Sequence, residues 1–156
     1  SKIERVELVT HPLVLELTGK KTPKTGLETK FSVYHAAAYA LLYGDGSPEA
    51  FTDRAAADPR VIALRDRVVA EGNAGVTEDA VHITVLMSDG RRIERHIDHA
   101  VGSIERPLTN DQLNEKFRKQ AALVVGEQHA DELLALSWTL PDLKDAGEIA
   151  RQSRRG

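Results

Sequence analysis

Apolar and polar residues alternate along several stretches of the chain, and this alternation predicts β-strands. The first stretch covers residues 3–9, where an imperfect register allows a bulge or an early end. Residues 81–87 and 91–99 alternate more regularly, and the Ser-Asp-Gly sequence at 88–90 is typical of a tight turn. We therefore predict a first strand and an antiparallel hairpin, with a further short strand at residues 68–70.

The other predicted elements are helices, several of which begin at a capping residue or a proline. They cover residues 13–18, 33–43, 48–56, 59–66, 113–124 and 129–139, with a last turn within 142–152. Ser32 is the expected N-cap of the helix over 33–43, and Thr109 with Gln112 predicts a capping box. Residues 20–30 are polar, contain a proline and a glycine, and predict a loop.

Strands at the start and in the middle of the chain, with helices around them, predict an α+β fold. We expect a small antiparallel or mixed β-sheet packed against helices, followed by C-terminal helices. The expected domains are an α+β domain at residues 1–107 and a helical segment at residues 108–156. That segment would pack on the first domain or on a helical domain outside this sequence.

Composition excludes several classes of protein. The 156 residues carry a net charge of −3 without a concentrated basic stripe, so we expect no nucleic-acid partner. No apolar run approaches the roughly 20 residues that span a bilayer, so we expect no membrane partner. The absence of cysteine excludes disulfides and a cysteine zinc site, and it fits a cytoplasmic location. No nucleotide-binding or nucleophile-elbow motif is present.

Six histidines are candidates for metal ligands or catalytic groups. His96 and His99 point to opposite faces of a continuous strand, but they converge with Asp98 if the strand ends at Ile97. We expect no metal site from them. His82, on the polar side of its strand, and His129 are expected to be surface residues.

His35 lies in the first turn of a nearly all-apolar helix, directly after Tyr34 and close in sequence to Lys24 and Lys30. An imidazole near helix N-terminal N–H groups and a lysine tends to stay neutral, so it suits a base or a hydrogen-bond donor beside a carboxylate ligand. The alternative is a core histidine bonded to a backbone carbonyl. Local pattern leaves both interpretations open.

The blocks GLETKFSVYHAAAYALLYGDG, FTD, DPRV, SDGRRIE and PLTNDQLNEKFR occur in this order and resemble the MmgE/PrpD family. That family includes 2-methylcitrate dehydratases, cis-aconitate decarboxylases and iminodisuccinate epimerases. The resemblance runs from about residue 3 to residue 143. It implies a protein with a large helical domain and a smaller α+β lid domain, of which this sequence matches the lid and the helices that follow it.

The resemblance also implies a set of site residues. The family's KFS block matches Lys30-Phe31-Ser32, and decarboxylase-like members place a tyrosine three residues after the serine, where this chain has His35. We therefore expect His35 to be catalytic, and Lys30, Ser32 and Tyr34 to bind substrate. The implied reaction uses no metal, flavin or nucleotide: a base removes a proton α to a carboxylate, and then hydroxide leaves, carbon dioxide leaves, or a proton returns to the opposite face.

Two functions follow from this reasoning. The first is the lid of a 2-methylcitrate dehydratase-like lyase or isomerase for small di- or tricarboxylic acids, incomplete as a catalyst alone. Because the sequence opens directly on a strand without methionine, we expect it to be excised from a longer protein with a helical domain. Apolar surface on residues 113–124 or 133–140 would then be exposed or covered in a homodimer. The second function is a non-catalytic module that binds a carboxylate or a protein.

Overall fold

The computed structural model of the chain describes residues 2–154. The chain divides after Glu105 into two compact units. No helix within residues 2–154 has the length and apolar character that a bilayer crossing requires.

A four-stranded mixed sheet forms the first unit's framework. Its strands are β1 (Ile3–Thr10), β2 (Val68–Gly72), β3 (Val81–Met87) and β4 (Arg92–Ile97), in the spatial order β2-β1-β3-β4. β1 pairs parallel with β2 and antiparallel with β3, and β3 pairs antiparallel with β4. The α+β fold and the hairpin are thus confirmed. The imperfect alternation in β1 corresponds to a register shift between Ile3 and Arg5.

Five helices and one 3₁₀ turn lie between β1 and β2. They are α1 (Pro12–Thr18), α2 (Gly26–Thr29), α3 (Val33–Tyr43), the 3₁₀ turn Pro48–Phe51, α4 (Asp53–Ala56) and α5 (Pro59–Arg65). The expected helices at α1, α3 and α5 are confirmed. Two details of the prediction are wrong: residues 20–30 are not all loop, and the predicted helix over 48–56 is interrupted at Thr52.

Both corrections have local physical causes. The Thr25 hydroxyl accepts a hydrogen bond from the backbone N–H of Glu28 at 3.3 Å, which caps the short helix α2. The N–H of Gly26 donates to Asp53 Oδ1 at 2.6 Å, a contact 27 residues away that local sequence does not reveal. Thr52 has an extended backbone, and its hydroxyl caps α4, so the preceding turn and α4 are separate elements.

The core of the first unit lies where one face of the sheet meets α3 and α5. Its buried residues are mostly apolar and come from three strands of the sheet and from the two helices: Val6, Leu8, Tyr34, Ala38, Val61, Leu64, Val68 and Val85. Helix α3 is less enclosed than its composition predicts, because Leu41 and Tyr43 remain exposed near its C-terminal end. β4 presents exposed residues along its length except at Ile97.

The second unit is helical. It contains α6 (Asn110–Val125), α7 (Glu127–Trp138), a 3₁₀ turn at Leu140–Asp142, and α8 (Gly147–Gln152). The predicted capping box is confirmed, since the Thr109 hydroxyl accepts from the N–H of Gln112 and the Gln112 side chain accepts from the N–H of Thr109. Gly126 separates α6 from α7 with a φ of 82°, a conformation that favours glycine.

Gly26 provides a test of the contact between α2 and the segment before α4. A Cβ added at this position would lie 2.5 Å from the carbonyl oxygen of Phe51, which is backbone and has little freedom to move. We expect Gly26→Ala to lower the free energy of unfolding by about 1–3 kcal/mol. The matched control is Gly46→Ala, where a Cβ meets nothing within 4 Å. Urea unfolding of both variants checks the prediction, and equal stabilities would contradict the packing described.

Candidate functional site

The candidate site lies around the N-terminal turn of α3. Ser32 is 2% exposed, and its hydroxyl accepts a hydrogen bond from the N–H of His35 at 3.1 Å. A bridge between Gly19 and Ser32 and a bond from Lys20 N to Phe31 O at 3.1 Å hold the preceding chain beside it. Ser32 therefore acts as the N-cap of α3, as predicted, and orients the first turn that carries His35.

The side chain of His35 is completely buried. Its Nε2 lies 2.7 Å from the carbonyl oxygen of Ala50. Because a carbonyl only accepts hydrogen bonds, Nε2 carries the hydrogen and Nδ1 is left with a lone pair. The rings of Tyr39 and Phe51 lie 6.0 Å and 6.4 Å from the imidazole, centroid to centroid. Burial lowers the pKa of His35, the Ala50 carbonyl opposes this shift, and the charge of Arg65 adds to it.

These contacts favour the neutral form of the His35 imidazole and fix its tautomer. Within residues 2–154, its Nδ1 is the buried side-chain polar atom that lacks a hydrogen-bond partner. An unpartnered buried acceptor costs about 1–3 kcal/mol, which is unusual in a native fold. The bond to a carbonyl is the geometry of the core-histidine alternative, while the unpartnered Nδ1 is an available proton acceptor. The catalytic assignment stays a prediction.

The two remaining predicted site residues occupy different environments. Lys30 is exposed after the end of α2, and its ammonium group makes no hydrogen bond or ion pair with the described part of the chain. Tyr34 is 5% exposed and contributes its ring to the core. The structure thus joins Ser32 to His35 through a hydrogen bond, whereas Lys30 stands apart from them at the surface.

A polar cluster near the C-terminal end of α3 was missed by sequence reasoning. The Tyr43 hydroxyl donates to Asp58 Oδ2, and Arg60 Nη2 donates to the Tyr43 oxygen at 2.6 Å. The Tyr43 hydrogen bond, together with Arg60, lowers the pKa of Asp58 to about 2, and it raises the pKa of Tyr43. With Tyr39 and Arg54 this cluster lines a cavity of about 750 Å³. The available signal was the Asp58-Pro59 pair at the start of the predicted helix over 59–66, a capping residue followed by proline.

The histidines of the hairpin do not converge on one point. β4 ends at Ile97, and His96 Nε2 then contacts Asp98 at 2.7 Å, but His99 Nδ1 contacts Asp79 at 2.8 Å instead. The hydrogen bond that His99 donates to the Asp79 carboxylate raises the pKa of His99. Glu105 completes the group of possible ligand atoms, which lie within 4.8 Å of one another. An imidazolium that balances carboxylates explains this group without a metal.

His82 and His96 are paired neighbours on β3 and β4, and their rings stack with centroids 3.9 Å apart. His82 is exposed, as predicted. His129 Nε2 donates to the carbonyl of Gln152 at 2.6 Å, and its Nδ1 lies 3.2 Å from Glu132. These contacts explain the positions of His82 and His129 without a ligand.

The second unit has exposed apolar surface on the helices where the sequence predicted it. A cavity of about 690 Å³ lies between α6 and α7, lined largely by apolar side chains that include Leu113, Phe117 and Trp138. Leu113 and Trp138 are 43% and 52% exposed. Trp138 Nε1 donates to Asn114 Oδ1 at 2.7 Å, which holds the indole at the edge of this groove.

The pKa shift of His35 predicts a pH dependence of stability. The pKa of His35 is lowered from its ordinary value of 6.5 in the folded chain. Below pH 6.5 the unfolded chain therefore binds a proton at His35 more readily than the folded chain does. The stabilisation is therefore complete above pH 6.5 and is lost as the pH falls, by up to about 1.4 kcal/mol for one pH unit. Chemical unfolding at about pH 7.5 and 5.5 should show a smaller acid loss in His35→Gln than in the parent chain.

His99 offers the control because its pKa is raised, so its contribution is complete below pH 6.5 and is lost as the pH rises. His99→Gln should therefore steepen the acid loss. An unchanged pH profile in His35→Gln would contradict a buried neutral imidazole.

The comparison with known proteins agrees with the fold and with the sequence blocks around α3. The model of the MmgE/PrpD C-terminal domain matches residues 1–140. No curated protein matches the sequence. The match covers the sheet, all helices of the first unit, and α6 and α7 of the second. The chain belongs to the MmgE/PrpD family, of which it is a C-terminal domain.

Proposed function

We propose that this chain is the lid domain of a cofactor-independent, 2-methylcitrate dehydratase-like lyase or isomerase that acts on small di- or tricarboxylic acids. The family match supports the domain assignment. The observation that carries the proposal is the buried neutral imidazole of His35, whose Nδ1 has no partner among the described residues. It stands three positions after the matched KFS block, in the turn capped by Ser32.

In the proposed chemistry, His35 Nδ1 accepts the proton α to a substrate carboxylate. The C–H bond breaks, its electron pair remains on the substrate as an enolate-like charge, and the Nε2–H bond to Ala50 keeps the tautomer fixed. The Lys30 ammonium and the first turn behind Ser32 would stabilise the negative charge. Tyr34 completes the predicted binding residues.

Access to His35 is part of the proposal, since the side chain has no exposed surface within this unit. The 3₁₀ turn Pro48–Phe51 supplies both the carbonyl that binds Nε2 and an aromatic ring near the imidazole. Movement of the Phe51 side chain, when the lid meets a helical domain, would open a path to Nδ1 while the Ala50 carbonyl keeps its bond to Nε2. The domain alone would then be inactive.

The apolar groove between α6 and α7 supports the need for a partner. An exposed apolar groove is typical of a surface that binds another protein domain. The helical domain of the family or a second copy of the chain would cover it. The expected cytoplasmic location remains part of the proposal.

A second candidate function is a non-catalytic module with the same fold, which binds a carboxylate or a protein. The complete burial of His35 and its bond to a backbone carbonyl favour this alternative, because both are typical of a structural histidine. The two candidates differ in whether proton transfer at residue 35 is required for turnover.

The decisive experiment measures turnover of 2-methylcitrate, cis-aconitate and iminodisuccinate by the polypeptide or complex that joins this domain to the helical domain. We expect His35→Gln to lower kcat at least 100-fold, because general acid–base catalysis contributes about 10²–10⁴. We expect the glutamine amide to donate to the Ala50 carbonyl in place of Nε2 and the fold to be retained. His82→Gln, at an exposed histidine, should leave kcat unchanged. An active His35→Gln enzyme would favour the non-catalytic role of His35, and absence of turnover in the parent would favour the binding module.

A further inference from the structure

A further cleft lies beside β2 in the first unit. It has a volume of about 360 Å³, toward the lower end of the roughly 300–1,000 Å³ range of small-molecule pockets. Its walls combine an aliphatic strand with polar side chains: Lys21, Thr22, Tyr34, Arg65, Asp66 and Val68–Ala70. Lys21 and Thr22 come from the loop after α1, Tyr34 from α3, and Arg65 from the end of α5.

Tyr34 contributes a possible hydrogen-bond donor to this cleft. The residue is only 5% exposed, and its hydroxyl makes no hydrogen bond with the described part of the chain. Because the buried polar atom without a partner there is His35 Nδ1, the Tyr34 oxygen itself keeps contact with solvent, and Tyr34 lines the cleft. The hydroxyl can therefore bond to water or to a ligand. The Lys21 ammonium lies 5.9 Å from the centre of the Tyr34 ring, and no carboxylate of the described chain pairs with it. A phenol and a cation are therefore available together at the same cleft.

Arg65 adds a second positive charge in the wall. It is 7% exposed; its Nε and Nη2 donate to Asp66 Oδ1 at 3.1 Å and 2.9 Å, and Nη1 donates to the carbonyl of Pro23 at 3.4 Å. A guanidinium has five N–H donors, so two remain for another acceptor. Two cations against the single charge of Asp66 leave the cleft with a net charge of about +1.

We propose that this cleft binds one carboxylate group of a small organic acid, with the Lys21 ammonium and the Tyr34 hydroxyl as its principal donors. The net charge matches a single carboxylate, and the side chains of Val68 and Ala70 suit the hydrocarbon part of such an acid. The assignment rests on the proposed function, because it names where the lid holds a substrate carboxylate. It adds Lys21, Thr22 and Arg65 to the predicted residues and gives Tyr34 a defined contact.

Calorimetric titration of the full chain with citrate, and separately with inorganic phosphate, tests this site. We expect saturable citrate binding that Lys21→Gln weakens at least fivefold, since charge-assisted hydrogen bonds are the strong ones. Tyr34→Phe removes only the hydroxyl and keeps the buried ring, and it should weaken binding about threefold or more. The matched control is Lys24→Gln, which removes the same charge from the same loop outside the cleft and should leave the affinity unchanged.

Three results would overturn the proposal: no saturable citrate binding, equal losses in Lys21→Gln and Lys24→Gln, or phosphate binding as tight as citrate with the same sensitivity. The first two exclude the cleft, and the third replaces a carboxylate site by a general anion site. Citrate binding without turnover in the assembled enzyme would retain the cleft and reject the proposed reaction. Loss of turnover in His35→Gln without citrate binding would do the reverse.

Discussion

The parallel pairing of β1 with β2 is the constraint on which the first unit depends. Parallel neighbours cannot be joined by a tight turn, so the chain must travel back along the sheet before β2 begins. All five helices of this unit lie within that one connection. Their packing against the sheet closes the core at Val6 and Leu64, and it brings the capped turn of α3 beside the segment that contains Ala50.

The same connection determines the chemistry around His35. Its carbonyl partner lies 15 residues further along the chain, and Asp53, which bonds to Gly26, lies 27 residues from its partner. The short elements of the connection are therefore held by side-chain bonds to distant backbone as well as by apolar packing. In this arrangement the buried imidazole of His35 has one bonded nitrogen and one without a partner. Burial of an unpartnered nitrogen costs free energy, and it distinguishes His35 from the other histidines of the described chain.

Elements with strong local signals were predictable from sequence. The hairpin has regular alternation around a Ser-Asp-Gly turn, and the capping box at Thr109 is a local motif, so both match the structure. Helix α2 was not predictable in the same way, because part of its support comes from Asp53. The Tyr43–Asp58–Arg60 cluster and the Lys21–Tyr34 cleft also join residues far apart in sequence, and neither forms a recognisable linear motif.

β4 has a consequence for how the sheet meets other molecules. It is an edge strand, and its exposed residues include Arg92, Glu94 and Arg95. An unpaired strand edge is a template for aggregation, and charged side chains make addition of another strand unfavourable because they would lose water. Arg92 also binds Glu94 along the strand at 2.7 Å, which keeps opposite charges together at this border. The charged side chains of β4 thus disfavour edge-to-edge polymerisation on this side of the sheet.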